Sequence, residues 1–314
     1  QKVVGAFAWV LRKFMNISGS EGLVAAGNIF MGMTESPVLI KNYLPTMNRS
    51  EIFLVMVSGM GTIAGSVMGT YIGMLGGTDP AAKVLFATHL LSASVMAVPG
   101  SIVLAKMLCP QTEEATDHVA ISGKEKENSN ILDAISSGTV TGVKLMTNIA
   151  AMLLVFISLV ALANYITEGV IGRYTGLNDW IVKITDGKAQ GLTFQFILGV
   201  ITSPFMWLIG VPSQDIMLVG SLLGQKTILN EFVAYFQLQQ WKDAGLFMYE
   251  KSILMSTYIL CGFANISSIG ILLGGLGVLA PEKRGLISRI GLPAMIGGAL
   301  VSVLSATIIG MILG

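Results

Sequence analysis

Charge is what this sequence has least of. Lys, Arg, Asp and Glu together make up 12% of its 314 residues, against 53% hydrophobic, and the mean hydropathy is +0.73. Soluble domains carry about a quarter charged residues, so the composition implies an all-α polytopic membrane protein. The formal net charge is +1, and no basic stripe exists to neutralise phosphates, which excludes a nucleic acid polymer as partner. Histidine is nearly missing, with only His89 and His118. Cys109 and Cys261 each stand alone in apolar sequence, without ligand-type spacing, and read as small buried side chains. A membrane-embedded hydrolase would need a nucleophile with its base, paired aspartates at membrane depth, or a His-rich metal set. None is visible, so no enzyme and no cofactor is expected. The sequence opens at Gln1 without initiator methionine or signal peptide, and further N-terminal segments are expected ahead of it.

What is present is a set of apolar runs broken at polar points. The first is Ala25 to Ile40, where Gly32-Met33-Thr34-Glu35-Ser36-Pro37 interrupts apolar flanks. A charged group at the centre of a bilayer costs about 2.5–3.5 kcal/mol even on the lenient insertion scale. A lipid-facing helix would therefore not carry Glu35 at its middle, and two half-helices meeting inside protein would give it polar company. This predicts a re-entrant hairpin. A second stretch of the same kind, Gly224-Gln225-Lys226-Thr227-Ile228-Leu229-Asn230-Glu231-Phe232, predicts a second hairpin. A P-loop is rejected there: Gly220 stands one residue too close to Gly224 for the phosphate-loop spacing, and no strand-type run precedes it.

Between and after the hairpins the chain alternates. Residues 1–16 form a mildly amphipathic lead-in ending near Arg12-Lys13. Ile52 to Thr78 is uncharged and long enough for one span, with Gly59-Met60-Gly61-Thr62-Ile63-Ala64-Gly65-Ser66 at its centre. Close helix packing at Gly61, Gly65 and Gly69 and an unwound helix with carbonyls facing a cation both fit that centre. Lys83 to Lys106 frames another span, in which His89 reads as a hydrogen-bonded interior residue, no carboxylate lying within a helical turn. Residues 109–138 are the polar segment, and 145–167 the most uniformly apolar span. Gly172 to Gly191 reads as an interfacial loop with Trp180 at headgroup level. Lys251 to Glu282 encloses an uncharged run interrupted by Gly262-Phe263-Ala264-Asn265-Ile266-Ser267-Ser268, again an unwound helix. The order is hairpin, polar-centred span, two plainer spans, hairpin, polar-centred span, plain span. That is the pattern of an inverted-repeat secondary transporter with a midplane site. Arg12-Lys13, Lys41 with Arg49, and Lys283-Arg284-Arg289 fall on one side if the hairpins do not cross.

Four clusters would then converge: Asn28 with Thr34-Glu35, Thr62-Ile63, Asn230-Glu231, and Phe263-Asn265-Ser268. Two carboxylates with amides, hydroxyls and one aromatic suit a neutral, flat, polyhydroxylated ligand. No arginine lies in the set, which argues against phosphorylated or carboxylate substrates. Simpler readings stand beside this one. Glu231 could pair with Lys226, and Asn28 and Asn265 could be hydrogen-bonding glue between helices, worth about 1 kcal/mol each.

At this point the sequence resembles the concentrative nucleoside transporter family. The resemblance rests on Gly32-Met33-Thr34-Glu35-Ser36-Pro37, on Asn230-Glu231-Phe232 and on Gly262-Phe263-Ala264-Asn265-Ile266-Ser267-Ser268, in that order over essentially the whole chain. It implies a homotrimer in which a scaffold holds the trimer while a transport domain of two re-entrant hairpins and two broken helices moves through the bilayer, an elevator-type alternating access. Residues 1–108 and 191–280 would be the two halves of the transport domain, 109–138 the polar loop, 139–190 a scaffold span with its interfacial loop, and 281–314 the C-terminal span. Thr34 and Glu35 would contact the nucleobase, with Met33 at the position that helps read it and Val67 on the base side. Glu231, Asn265 and Ser268 would hold the ribose hydroxyls, with Phe263 nearby. Sodium, the coupling ion, would map to the Asn28 and Thr62 side chains and the Met31 and Ile63 carbonyls. The function implied is sodium-driven nucleoside import across the cell membrane, the inner membrane if the source is bacterial. Proton coupling is the main alternative, and a channel or membrane-embedded enzyme a more distant one. Met33 departs from the polar amide common there, which bears on base selectivity. Thr62 stands for a common Ser and keeps the hydroxyl.

Overall fold

The capping residues explain where the helices begin. In the computed structural model, which describes residues 2–113, 130–185, 187 and 189–314, α1 (Lys2–Met15) leads into α2 (Gly19–Gly27). Ser18 caps α2 in a capping box with Glu21, satisfying amides that a helix start leaves unpaired. A turn and a short 3-10 segment, Ser36–Ile40, follow. Asn48 and Glu51 form a second capping box at the start of α3 (Arg49–Gly61). After Thr62, Ile63 and Ala64 the chain resumes as α4 (Gly65–Gly76), and α5 (Pro80–Leu108) starts on an Asp79 cap with Pro80 in its first turn.

Asn130 caps α6 (Ile131–Asn164), which continues as a π-helical turn over Tyr165–Gly172 and then α7 (Arg173–Thr175) and α8 (Leu177–Ile184). There follow α9 (Phe194–Leu208), α10 (Ile216–Ile228), α11 (Glu231–Asp243), α12 (Glu250–Leu260) and α13 (Ile266–Leu279). A 3-10 turn at Pro281–Lys283 opens α14 (Arg284–Ile312). No strand occurs among the described residues.

The chain divides into two compact units, residues 1–118 with 198–314, and residues 119–197. In the first unit α14 is the common partner, packing against α3, α5, α12 and α13; α4 packs on α5, and α10 on both α11 and α12. Its core includes Tyr71, Tyr235, Tyr258, Leu222 and Leu260, with Tyr71 and Tyr235 stacked 4.1 Å apart. In the second unit Asn178 holds a corner, its amide donating to the Glu168 carbonyl and its carbonyl accepting from Leu192.

Among the described residues three helical stretches are long and apolar enough to cross a membrane: Arg49–Gly76, Pro80–Leu108 and Pro281–Ile312. The first contains the Thr62–Ala64 interruption, and of the packing glycines expected at that centre Gly69 has open space around it. The helix unwinds there, and Val301 of α14 lies close against Gly61.

Several expectations change. The second arm of the first hairpin is a 3-10 segment and turns rather than a full helix, because Pro37 removes a backbone donor just after the Glu35 turn. The segment read as an interfacial loop contains the short amphipathic helix α8, with Trp180 on its exposed side. The segment read as a polar loop gives way at Asn130 to α6, since Asn130 and Asp133 make a helix start. The remainder of it, 114–129 with His118, lies outside the described residues.

Candidate functional site

Glu231 opens α11 and is 7% exposed. Its Oε2 accepts from Asn265 Nδ2 at 2.9 Å, and its Oε1 lies 3.4 Å from the Tyr71 hydroxyl. Among the described residues no lysine or arginine pairs with it at ion-pair distance; instead it sits in the first turn of α11 and beside Asn265, the N-cap of α13. Two helix N-termini thus present partial positive charge to one buried carboxylate, an arrangement worth up to about 2 kcal/mol per terminus where partly buried.

Asn265 does two things at once. Its Oδ1 caps α13 by accepting from Ser268 N at 2.9 Å and from the Ser267 and Ser268 hydroxyls at 2.6 and 3.0 Å. That leaves the amide hydrogens facing Glu231. Asn265 and Ser268, on one helical face as their spacing predicts, are both buried. Asn230 caps α11 in the same manner, accepting from Val233 N at 2.8 Å. The cap explains why each polar knot coincides with a helix break.

The two breaks touch. Phe263 N donates to the Thr62 carbonyl at 3.3 Å. Gly262, at φ +143°, lies so close that a side chain there would meet the Met60 and Gly61 carbonyls and Ser302 Oγ at 3.0 Å. Only a glycine adopts that backbone without strain while admitting another chain so near. The end of α3 and the start of α13 are therefore held together. Val67, part-buried on α4, packs against the same core as Phe263 and Phe232.

The first tip folds over the α3–α4 break. Gly65 N donates to the Phe30 carbonyl at 3.3 Å, and the Met31 amide closes on Gly27 at 2.9 Å. Asn28, fully buried, donates to Ser58 Oγ at 3.0 Å and accepts from Ser36 Oγ at 2.6 Å. Thr62 Oγ1 donates to the Ser58 carbonyl at 2.9 Å. Ile63 is buried in the break itself. Asn28, Ser36, Ser58 and Thr62 thus bring amide and hydroxyl oxygens together beside the break, donor types that a hard monovalent cation takes.

Thr34 and Glu35 are exposed at the tip, and the Thr34 methyl lies against Gly275 of α13. Glu35 Oε2 accepts from Gly32 N at 3.0 Å, which holds the tip turn. Met33 is 7% exposed and lies against Gly59 of α3. Among the residues singled out from sequence, direct bonds join Glu231, Asn265 and Ser268, and the Asn265 backbone amide, donating to the Phe263 carbonyl at 3.0 Å, links them through Phe263 to Thr62. Asn28 meets Thr62 only through Ser58, and Glu35 bonds within its own turn.

Lys226 does not pair with Glu231. It is fully buried, and its ammonium donates to the Ile259 carbonyl at 2.8 Å and to Ser302 Oγ at 2.9 Å. His89 bonds the Tyr258 hydroxyl at 3.1 Å, in keeping with an interior role. Sequence reasoning missed Tyr71, Ser36, Ser58 and Ser302. Ser36 follows Glu35 directly, whereas Ser58 stands one helical turn before Thr62 and Tyr71 one turn after Val67, so helical spacing from the chosen residues could have found two of them. Nothing local marks Ser302, which comes from α14.

The family model described as the Na+ dependent nucleoside transporter C-terminus matches residues 89–310, and one described as nucleoside recognition matches residues 1–78. An uncharacterized transporter of Haemophilus influenzae is 38% identical over all of this chain and 71% of its own length. Sodium/nucleoside cotransporter 1 of Rattus norvegicus is 39% identical over 99% of this chain, which spans 47% of that protein. CNTnw in an inward-facing substrate-bound state superposes with a TM-score of 0.84 at 35% identity, covering 100% of this chain and 70% of that one. A double variant of CNTnw in an outward-facing state gives 0.85 at 34% identity, covering 99% and 69%.

Proposed function

This chain belongs to the family of Na+ dependent nucleoside transporters, and on that premise we propose that it is a symporter importing nucleosides down a sodium gradient. The observation that carries the reading is the Glu231–Asn265–Ser268 cluster. It is a buried carboxylate and amide without a basic partner, beside the crossing of two helix breaks. Vicinal ribose hydroxyls donate two hydrogen bonds and accept others. Glu231 supplies the acceptor, Asn265 and Ser268 the adjustable partners, and Phe263 and Val67 an apolar wall. Thr34 and Glu35, exposed at the first tip, contact the base, and Met33 supports that tip from beneath. Because Met33 offers no amide, base choice rests on Thr34 and Glu35.

Sodium binds among Asn28, Thr62 and the Met31 and Ile63 carbonyls, where it fixes the first tip over the α3–α4 break. Ordering that tip also orders Thr34 and Glu35, so ion and nucleoside favour each other reciprocally. With both bound, polar groups at the crossing are covered and the loaded unit can pass the apolar core of the bilayer. The movement is of the elevator type, with two re-entrant hairpins and two broken helices, related as inverted repeats, carrying the site past a trimeric scaffold. That the solved relative CNTnw occurs in inward- and outward-facing states supports alternating access. The site of action is a cell membrane, the inner membrane if the source is bacterial.

Calorimetric titration of the full chain in detergent with uridine, with and without sodium, tests this reading. Sodium is expected to raise uridine affinity by about 5–150-fold. Equal affinity in both, with binding retained, would discard sodium coupling and leave proton coupling; no binding in either would discard the nucleoside site.

A further inference from the structure

The helix α10 grips both ends of α12. At one end Asp215, fully buried just before α10, accepts from the Met248 and Tyr249 amides at 3.0 and 3.1 Å, where α12 begins without a side-chain cap of its own. At the other end Lys226, near the end of α10, donates to the Ile259 carbonyl in the last turn of α12. Asp215 and Lys226 are as far apart along α10 as Met248 and Ile259 are along α12, so the two helices run parallel and in register. The anion meets the positive end of α12 and the cation its negative end.

Hydrogen-bond directions fix what Lys226 faces. Its second partner, Ser302 Oγ, donates its own hydrogen to the Cys261 carbonyl at 2.9 Å and so turns a lone pair toward the ammonium. Ile259 O and Ser302 Oγ, the latter oriented by the Cys261 carbonyl, thus form a nest of oxygen acceptors at the unwound end of α12, with Lys226 as the cation in it. A helix pair in the first half of the chain is comparable at its far end, although α3, unlike α12, starts on a side-chain cap of its own, Asn48. There α2 lies along α3, and its end residue Asn28 reaches Ser58 in the last turns of α3 with a neutral amide. The same kind of helix end, lined by carbonyl and hydroxyl oxygens, has no resident charge.

We propose that Lys226 is a resident cation, occupying at the end of α12 the place that a cation from solution takes at the end of α3. The inference rests on the sodium reading of the Asn28–Thr62 pocket. It assigns one exchangeable ion to the transport cycle because the second ion place is filled covalently. It also makes the second tip independent of sodium, whereas the first is gated by it. Lys226 is therefore a positioning residue. It holds α10 on the α12 break and so sets Glu231, just beyond it, against Asn265.

The test uses the full chain in two variants. Lys226→Ser removes the ammonium and its stem, leaving the oxygen nest open to an ion and water. Lys226→Met fills the stem's volume and offers no charge. Thermal midpoints in detergent are read against sodium concentration, with N-methylglucamine replacing sodium at constant ionic strength. Lys226→Ser is expected to gain a sodium-dependent stabilisation steeper than that of the parent, and Lys226→Met to gain none. In uridine titrations at subsaturating sodium, affinity in the parent should change about tenfold per tenfold change in sodium, and in Lys226→Ser about a hundredfold. Lys226→Ser with the parent's sodium dependence, or recoverable in neither buffer, overturns the proposal, as does Lys226→Met with the same gain. A parent without sodium-dependent uridine affinity would sink the sodium reading instead, while the difference in thermal midpoints between the two variants would still decide the role of Lys226.

Discussion

Asn265 Nδ2 donates to Glu231 Oε2 at 2.9 Å, joining the cap of α13 to the first turn of α11. The bond links two helix starts that are distant in sequence, and it leaves the carboxylate's other oxygen turned toward Tyr71. A ribose diol bound there would exchange hydrogen bonds with groups already held in place, so little ordering would be lost on binding.

Glu231→Gln keeps the shape of that side chain and removes its charge. A hydrogen bond to a charged group contributes about 1.5–3 kcal/mol, so uridine affinity is expected to fall on the order of 10–100-fold. Calorimetry at saturating sodium checks this, and unchanged affinity would remove Glu231 from the site.

Asn265→Ala removes the α13 cap, about 1 kcal/mol, and leaves a buried carboxylate oxygen without its donor, about 1–3 kcal/mol. The thermal midpoint in detergent should drop along with uridine binding. Asn265→Asp keeps the cap acceptor and faces Glu231 with a second carboxylate, so it should lose uridine binding at a smaller loss of helix stability.

Gly262→Ala places a methyl 3.0 Å from the Met60 and Gly61 carbonyls at a backbone φ of +143°. Both the strain and the contact push the two breaks apart. The expected result is loss of uridine binding together with a lower thermal midpoint, measured on the same preparation. A stable protein with parental affinity would show that the crossing is not part of the site.

Glu35→Gln retains a carbonyl oxygen able to accept from Gly32 N, so the tip turn should hold. Only the charge offered to the nucleobase is lost. Uridine affinity is expected to fall several-fold with no change in thermal midpoint, which separates a ligand contact from a structural one.

Much of the first unit was legible because polar residues in apolar sequence have few uses. The breaks at Thr62 and at Asn265, and the turn before Glu231, were marked by Asn, Gly and Thr inside uncharged runs, and those residues act as caps or unwound points. The partner of Lys226 was not legible. Glu231, five residues away, stood only as an alternative partner, and the actual partners, Ile259 and Ser302, come from α12 and α14 and are a carbonyl and a hydroxyl. Backbone acceptors leave no trace in side-chain identity. The expected second half-helix after Glu35 differs for a local reason: Pro37 stands in the first turn of Ser36–Ile40, which is a short 3-10 segment. Tyr71 was overlooked because a tyrosine in a small-residue helix reads as core, and it is core, stacked on Tyr235, while its hydroxyl lies against Glu231.

On the proposed mechanism, sodium at the Asn28–Thr62 pocket drives nucleoside import. The most direct measurement is uptake of labelled uridine into proteoliposomes under an inward sodium gradient, an inward proton gradient, or neither, for the parent and for Asn28→Ala. Sodium alone should drive concentrative uptake in the parent, and Asn28→Ala should lose that drive, since the amide joining Ser36 and Ser58 would be gone. Uptake driven by protons alone, or sodium-driven uptake unchanged by Asn28→Ala, would contradict it.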